Sequence, residues 1–279
     1  MEKLNSKKLS MFCITLNPNH LNIIKKFNYL PVGLGKKEFT SEWFKDVSGD
    51  NITDKNPFYG EYTFHYWLWK NYIDKIDSKW IGFSQYRKFW TTEDLEGQNI
   101  NFDKFNNKLF KTMPSEFDEY ESILGKPFYI NQLRLTKFIK KIPKKIISNP
   151  LLLFNAKKRN IKFHFDMWHG EGNLDKAINL LDNEDKNDFE EFVNTNISFN
   201  PHNMFICKSK NLLKKYYESI FPWLERCEEI FGFDDLKGYG LKRIYGFLAE
   251  RYMSYWFQKN TRFKLLPIYF KDINEIKHN

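Results

Sequence analysis

The chain is poor in cysteine. It has three, Cys13, Cys207 and Cys227, an odd number without CxxC spacing. That excludes a disulfide framework or a zinc knuckle and fits a reduced, cytoplasmic setting. Long apolar runs are absent too. Stretches such as 11–16 and 151–154 fall far short of the ~20 residues a membrane-spanning helix needs. Residues 1–10 are polar and the run after them is too short for a leader, so no secretory signal is expected. The phosphate-loop spacing GxxxxGK[ST] is missing, and so are internal repeats and low-complexity tails. Arginine is scarce, with 7 among 44 basic residues.

What is present is core material. In 279 residues, 42% are hydrophobic and 18% aromatic, with 28 Phe, 15 Tyr and 8 Trp. This excludes disorder as the main state and is enough for one large domain over 1–279. The net charge of +9 is concentrated: residues 126–162 hold eleven Lys or Arg and no acid, so the remainder is net −2. Ile, Leu and Phe interleave these charges, which gives two readings. One is a basic, partly amphipathic element on anionic lipid at the inner face of the membrane; the other is a lysine-rich solvated surface. No nucleic-acid motif accompanies the charge, so no nucleic-acid partner is expected.

Periodicity gives the elements. Buried strands are expected at 11–16 (MFCITL), 80–83 (WIGF) and 203–207 (NMFIC), and helices at 20–27 and 61–71. Apolar residues at helical period over 212–231 predict a long helix with Ser209 as N-cap and a kink or fresh start at Pro222. A second amphipathic helix is expected over 239–258. Strands separated by helices predict an α/β fold with a mostly parallel central sheet.

In such sheets the ligand crevice lies beyond the carboxyl ends of the strands. That singles out the loop after the first strand and Gln85, Tyr86 and Arg87 after the second. A guanidinium there would clamp a diphosphate bidentately, while a surface ion pair is the plainer alternative. Glu61 and Lys70 place polar groups at both ends of an aromatic helix, and Asp50 and Asn51 mark a tight turn. Arg243 and Glu250, seven apart on the expected last helix, share a face; Glu250 is a candidate general base or half of a structural pair. His164, Asp166 and His169 match no strong metal spacing, and Asp166 with His169 is an equally good acid–base pair.

Four blocks in order (GDNITDKNPFYGEYTFHYWLWKN, WIGFSQYRKFW, FNPHNMFICKSK and YGLKRIYGFLAERYMSYWF) resemble a bacterial family long catalogued only as a domain of unknown function. It occurs in capsule, exopolysaccharide and lipopolysaccharide gene clusters. It is regarded as a glycosyltransferase family of GT-A type, with some galactofuranosyltransferase-like members. The likeness runs over roughly 12–270 and is weakest in the basic segment. The Asn-Met-Phe-Ile block at 203–206 is intact, whereas the family's His-Tyr-Arg-Arg reads Gln85-Tyr86-Arg87-Lys88 here.

The resemblance implies a GT-A-like single domain with a basic helical insertion at 126–162. It implies transfer from a nucleoside diphosphate sugar, UDP-linked, onto a lipid-linked or oligosaccharide acceptor. Thr15 and the loop with Val32, Gly33 and Gly35 would border the base. Asp50, Asn51, Glu61 and Lys70 would hold ribose, sugar or phosphate, with Gln85, Tyr86, Asn203 and Arg243 completing the donor set. Arg87 stands where the fold type usually carries an Asp-x-Asp, so no metal cofactor is expected; Mn or Mg held elsewhere is the alternative. Glu250, then Asp166, would deprotonate the acceptor in an inverting reaction, with His169 as Asp166's partner. A non-catalytic sugar-nucleotide or membrane-surface binding module of the same fold is the rival reading.

Overall fold

The computed structural model describes residues 8–98, 100–132, 155 and 158–275. Most of the basic stretch, expected to be helical and membrane-facing, lies outside the described residues. The chain divides into two compact units. Unit 1 comprises residues 1–126, 204–219 and 257–279; unit 2 comprises 127–203 and 220–256.

The strands in chain order are β1 (Leu9–Thr15), β2 (Leu30–Gly33), β3 (Phe44–Lys45), β4 (Trp80–Gln85), β5 (Lys88–Trp90), β6 (Ser122–Gly125), β7 (Phe128–Tyr129), β8 (Ser198–Phe199), β9 (Phe205–Lys208), β10 (Phe263–Leu266) and β11 (Ile268–Phe270). All but β7 and β8 form the sheet of unit 1. Its order is β10-β6-β9-β4-β1-β2-β3, with β5 joining β4 to β11. Pairing is parallel for β1 with β2 and β4, β2 with β3, and β10 with β6; β9 runs antiparallel between β4 and β6. The α/β class and mostly parallel central sheet follow the sequence pattern.

All seven residues of β1 are buried, as a central parallel strand covered on both faces requires. On one face Phe12 meets Phe64 of helix Tyr62–Trp67 at 5.4 Å and Phe83 at 5.8 Å between ring centroids. On the other, Met11 and Cys13 join a cluster with Ile24, Phe27, Phe89 and Phe105. Each such side chain contributes roughly 1.5–3 kcal/mol by leaving water. Cys13, Cys207 and Cys227 are buried, unpaired thiols, and burial pushes their pKa values up.

His65 sits in this core with Nδ1 2.7 Å from the Tyr217 hydroxyl, and burial pulls its pKa down to about 3. The unfolded chain binds that proton near pH 6.5 and the folded one does not, so stability present above pH 6.5 is lost on acidification toward pH 3. His65→Asn is expected to remove up to about 1.4 kcal/mol per pH unit from the slope of unfolding free energy between pH 6 and 4, read from urea midpoints. An unchanged slope would place the proton elsewhere.

Unit 2 is mainly helical. Helices Ile161–His169, Asn173–Ile178, Asn183–Thr195 and Gly238–Lys242 lie within it, and β7 pairs antiparallel with β8. Helices Lys210–Phe231 and Ile244–Asn260 start in one unit and end in the other. Trp223 packs against Phe189 at 5.9 Å and Tyr252 at 5.0 Å, and donates Nε1–H to Ala177 O at 2.7 Å. Tyr252 and Tyr255 both donate to the Asp185 carboxylate.

Two expectations change. The Leu212 N–H reaches Ser209 Oγ at 3.3 Å, as a cap should, but the helix continues through Pro222 with no fresh start. Trp223 and Leu224, fully buried just beyond the proline, hold the backbone where one lost hydrogen bond would otherwise let it break. The helix expected over 239–258 is two helices. Arg243 ends the first at φ −102°, ψ 26°, so it does not share a helical face with Glu250.

Candidate functional site

From β1 the chain builds β2 and β3 on one side, then returns to lay β4 on the other. Such a reversal opens a crevice at the carboxyl ends of the two central strands. β1 delivers Thr15 there and β4 delivers Gln85, followed by Tyr86 and Arg87.

A polar relay fixes this edge, and its orientation can be derived. Asp272, a carboxylate, only accepts, so Asn274 turns Nδ2 toward it at 2.8 Å and presents Oδ1 to His20 Nε2, also at 2.8 Å. Asn17 Nδ2 also approaches Nε2, at 3.2 Å; the shorter contact to Asn274 puts the His20 proton on Nε2, and Nδ1 then accepts from the Thr15 hydroxyl at 2.8 Å. Burial lowers the His20 pKa, keeping the ring neutral. Arg87 donates Nε–H to Asp272 Oδ2 at 2.8 Å, and its guanidinium lies 4.7 Å from the Tyr86 ring centroid. Burial alone would raise the Asp272 pKa; hydrogen bonds from Asn274 and Arg87 outweigh it and hold the carboxyl below its ordinary range. With Nε engaged, the Nη pair of Arg87 makes no hydrogen bond among the described residues, and the side chain is 61% exposed. Arg87 thus stands at the sheet edge, paired to a carboxylate through one side of its fork only.

The other unit 1 residues fall into separate groups. Gln85 donates to Glu61 Oε1 at 3.2 Å and accepts from Lys88 Nζ. Asp50 and Asn51 are exposed in a turn clamped by Asn71, which accepts from Asp50 N and donates to Asp50 O. Asp50 Oδ1 also accepts from Tyr66, over whose ring Lys70 lies at 5.6 Å. Val32 is fully buried, so its side chain serves the core. A Cβ on Gly33 would fall 2.3 Å from the Phe39 ring, which makes that glycine a packing requirement; Gly35 turns the loop at φ +83°. Gly33→Ala is expected to cost about 1–3 kcal/mol in thermal or urea unfolding as Phe39 is displaced.

Unit 2 contains a cavity of about 710 Å³. The helix Ile161–His169, the loop before β9 and the two helices flanking Arg243 wall it. Glu250, Asp166 and His169 all line it, so the structure gathers the three candidate catalytic residues. Glu250 Oε1 accepts from His202 N at 2.5 Å, and Oε2 pairs with Arg251 Nη1. Arg251 is 1% exposed, lies 4.3 Å from the Phe199 ring centroid, and donates Nη2–H to His164 Nδ1 at 3.1 Å. Burial and the Arg251 charge push the His164 pKa down. Asp166 Oδ1 accepts from Gly172 N at 3.2 Å. His169 donates Nδ1–H to Gly240 O at 3.0 Å, since a carbonyl oxygen only accepts, and stacks on Phe247 at 4.0 Å. Asn203 Nδ2 donates to Gly246 O, while Arg243 lies over Tyr239 and outside the cavity lining. His164 meets a guanidinium, and no group of three or more His, Cys, Asp or Glu is set to hold a metal among the described residues.

Sequence reasoning missed His20, Asp272 and Asn274, which belong to the edge only through long-range contacts. It also missed His202 and Arg251, although both stand inside quoted blocks. Consecutive His202 (φ +79°) and Asn203 (φ +53°) in the left-handed region are a conformational signal no sequence displays.

No curated protein sequence matches the chain. Among solved structures, the apo structure of the bifunctional glycosyltransferase WbbM shares the fold, with a TM-score of 0.66 and 20% identity over 95% of this chain. The match spans 45% of that protein's length. The mannosyltransferase Ktr4p from S. cerevisiae aligns over 88% of this chain and 62% of its own at 12% identity, but a TM-score of 0.28 gives that likeness no weight. A family model covers residues 14–261, and the chain belongs to the family it describes, the domain of unknown function DUF4422.

Proposed function

We propose that the protein is a GT-A-type glycosyltransferase moving a sugar from a nucleoside diphosphate sugar onto a lipid-linked capsular or cell-surface glycan. A UDP-linked donor is favoured, with a galactofuranose type among the candidates. The observation that carries this is the crevice where β1 and β4 end, with Arg87 fixed through Nε and its Nη pair left over. The fold shared with WbbM supports it.

Transfer breaks the bond between the anomeric carbon and the diphosphate oxygen and forms one to an acceptor hydroxyl oxygen. The diphosphate departs with the electron pair, and Arg87 offsets the charge growing on it. In this reading Arg87 stands in for a metal ion as the diphosphate's counter-charge, with Mn or Mg held elsewhere as the alternative. Thr15, Gly33 and Gly35 border the base, and Glu61, Asp50, Asn51 and Lys70 contact sugar, ribose or phosphate. An inverting reaction needs a base for the acceptor proton, and Glu250, Asp166 and His169 are the candidates for that role.

The basic segment 126–162 docks the protein on the anionic inner leaflet of the membrane. Raising salt from 0.05 to 0.5 M is expected to release it from phosphatidylserine vesicles; salt-insensitive binding would remove that role.

The test of the whole reading is a thermal-shift screen of UDP and UDP-sugars, with and without Mn²⁺ or chelator, followed by UDP release. A ligand at 100 times its Kd stabilises by about 2.7 kcal/mol. Absence of any shift and of any UDP release sinks the transferase and leaves a membrane-surface binding module; a shift without UDP release leaves a non-catalytic sugar-nucleotide module.

A further inference from the structure

We infer that the cavity of unit 2 binds a neutral saccharide ring, stacked on Trp168 and Tyr239 and hydrogen-bonded along a wall that includes Glu250 and His202. Its volume of about 710 Å³ lies within the range of small-ligand sites, roughly 300–1,000 Å³. Large aromatic side chains are normally hidden, yet Trp168 is 40% exposed and Tyr239 71% exposed, and both line this cavity. An aromatic face beside fixed polar groups suits a sugar, which has an apolar C–H face and a rim of hydroxyls.

The platform is built closely. Helix Gly238–Lys242 approaches helix Ile161–His169 so tightly that a Cβ on Gly240 would fall 2.1 Å from Trp168 O, and His169 bonds Gly240 O from the same side. The polar wall is held against strain. His202 and Asn203 both adopt positive φ, at about 1–3 kcal/mol each. The Glu250 carboxylate accepting from His202 N and the Asn203 amide donating to Gly246 O keep them there. Strain maintained at the wall of a cavity is characteristic of a site that pre-organises a ligand.

Charge selects among ligands. The lining holds two carboxylates, Asp166 and Glu250, and two cations, Lys237 and Arg251, and Arg251 is spent on Glu250. Among the described residues no Lys or Arg cluster lines the cavity for a phosphate, which disfavours a nucleotide and favours an uncharged glycan. As an acceptor site this rests on the transferase reading; as a saccharide site it does not.

The test is saturation-transfer NMR with methyl galactopyranoside, methyl galactofuranoside, methyl glucoside, methyl mannoside and their neutral disaccharides, together with UDP. At least one glycoside is expected to show transfer to its ring C–H protons. Trp168→Ala and Tyr239→Ala should each weaken it about tenfold, while Tyr239→Phe retains it. UDP should not displace the glycoside, and UDP-induced thermal stabilisation should survive Trp168→Ala. Absence of signal from every glycoside, binding indifferent to both alanine variants, or displacement by UDP each overturns the assignment. Glycoside binding without any UDP binding leaves this site standing and removes the donor reading; the reverse result removes this site alone.

Discussion

Arg251→Ala is expected to lower the unfolding free energy by about 3–5 kcal/mol, the cost of removing one partner of a buried ion pair. The guanidinium is 1% exposed and the Glu250 side chain 12%. Without Arg251, Glu250 keeps one bond from the His202 N–H, but its charge has lost its counter-ion, and Phe199 and Phe247 lose the plane between them. Arg251→Lys should recover little, because a point ammonium cannot reach Glu250 and His164 together as the planar fork does. The double variant Arg251→Met with Glu250→Leu should regain much of the loss, since replacing both partners with apolar groups leaves no stranded charge. Urea unfolding measures all three. A single-variant loss under 1 kcal/mol would mean that water reaches the pair.

The second large effect follows from the proposed sugar transfer. Arg87→Ala is expected to reduce kcat for UDP release about 10²-fold with little change in KM, as removal of a charge-stabilising donor does when it acts mainly in the transition state. The lower end of the usual 10²–10³ range applies because the side chain is 61% exposed, where solvent screens the charge. Asp272→Asn should give a smaller loss, about tenfold, because it leaves the guanidinium but frees it to rotate. His20→Ala acts one step further along the relay, through Asn274, and should be milder still. Activity of Arg87→Ala within threefold of the parent would reduce this arginine to a surface ion pair.

Much of the fold was legible because local chemistry and burial agree. β1 reads as a central strand since a parallel strand covered on both faces needs an unbroken apolar run, and MFCITL supplies one. Ser209 announces the start of helix Lys210–Phe231 by the hydrogen bond it can make to its own first turn. The break at Arg243 was not legible, because the apolar period continues across it. The tight seat of Gly240 against Trp168 O lies just before that break, and nothing in the local sequence encodes that contact.

The candidate residues divide along the same line. Placing Arg87 at the sheet edge needed only the position of a strand end. His20 and Asn274, 254 positions apart, became partners only when the β11 segment returned to the end of β4, where Lys271 and Ile273 bond the backbone of Arg87 and Tyr86. The cavity gathers positions from 128 to 251, so no window of sequence contains it.

By itself the sequence determined the α/β class, the charge imbalance, the family and the chemical types available at each strand end. These follow from periodicity, composition and short motifs, which act over a few residues. The tertiary structure alone decided which carboxylate meets which guanidinium, which tautomer His20 and His169 carry, and which aromatic rings stay in contact with water. Those depend on through-space distances of about 3 Å between residues far apart in the chain, and packing sets such distances.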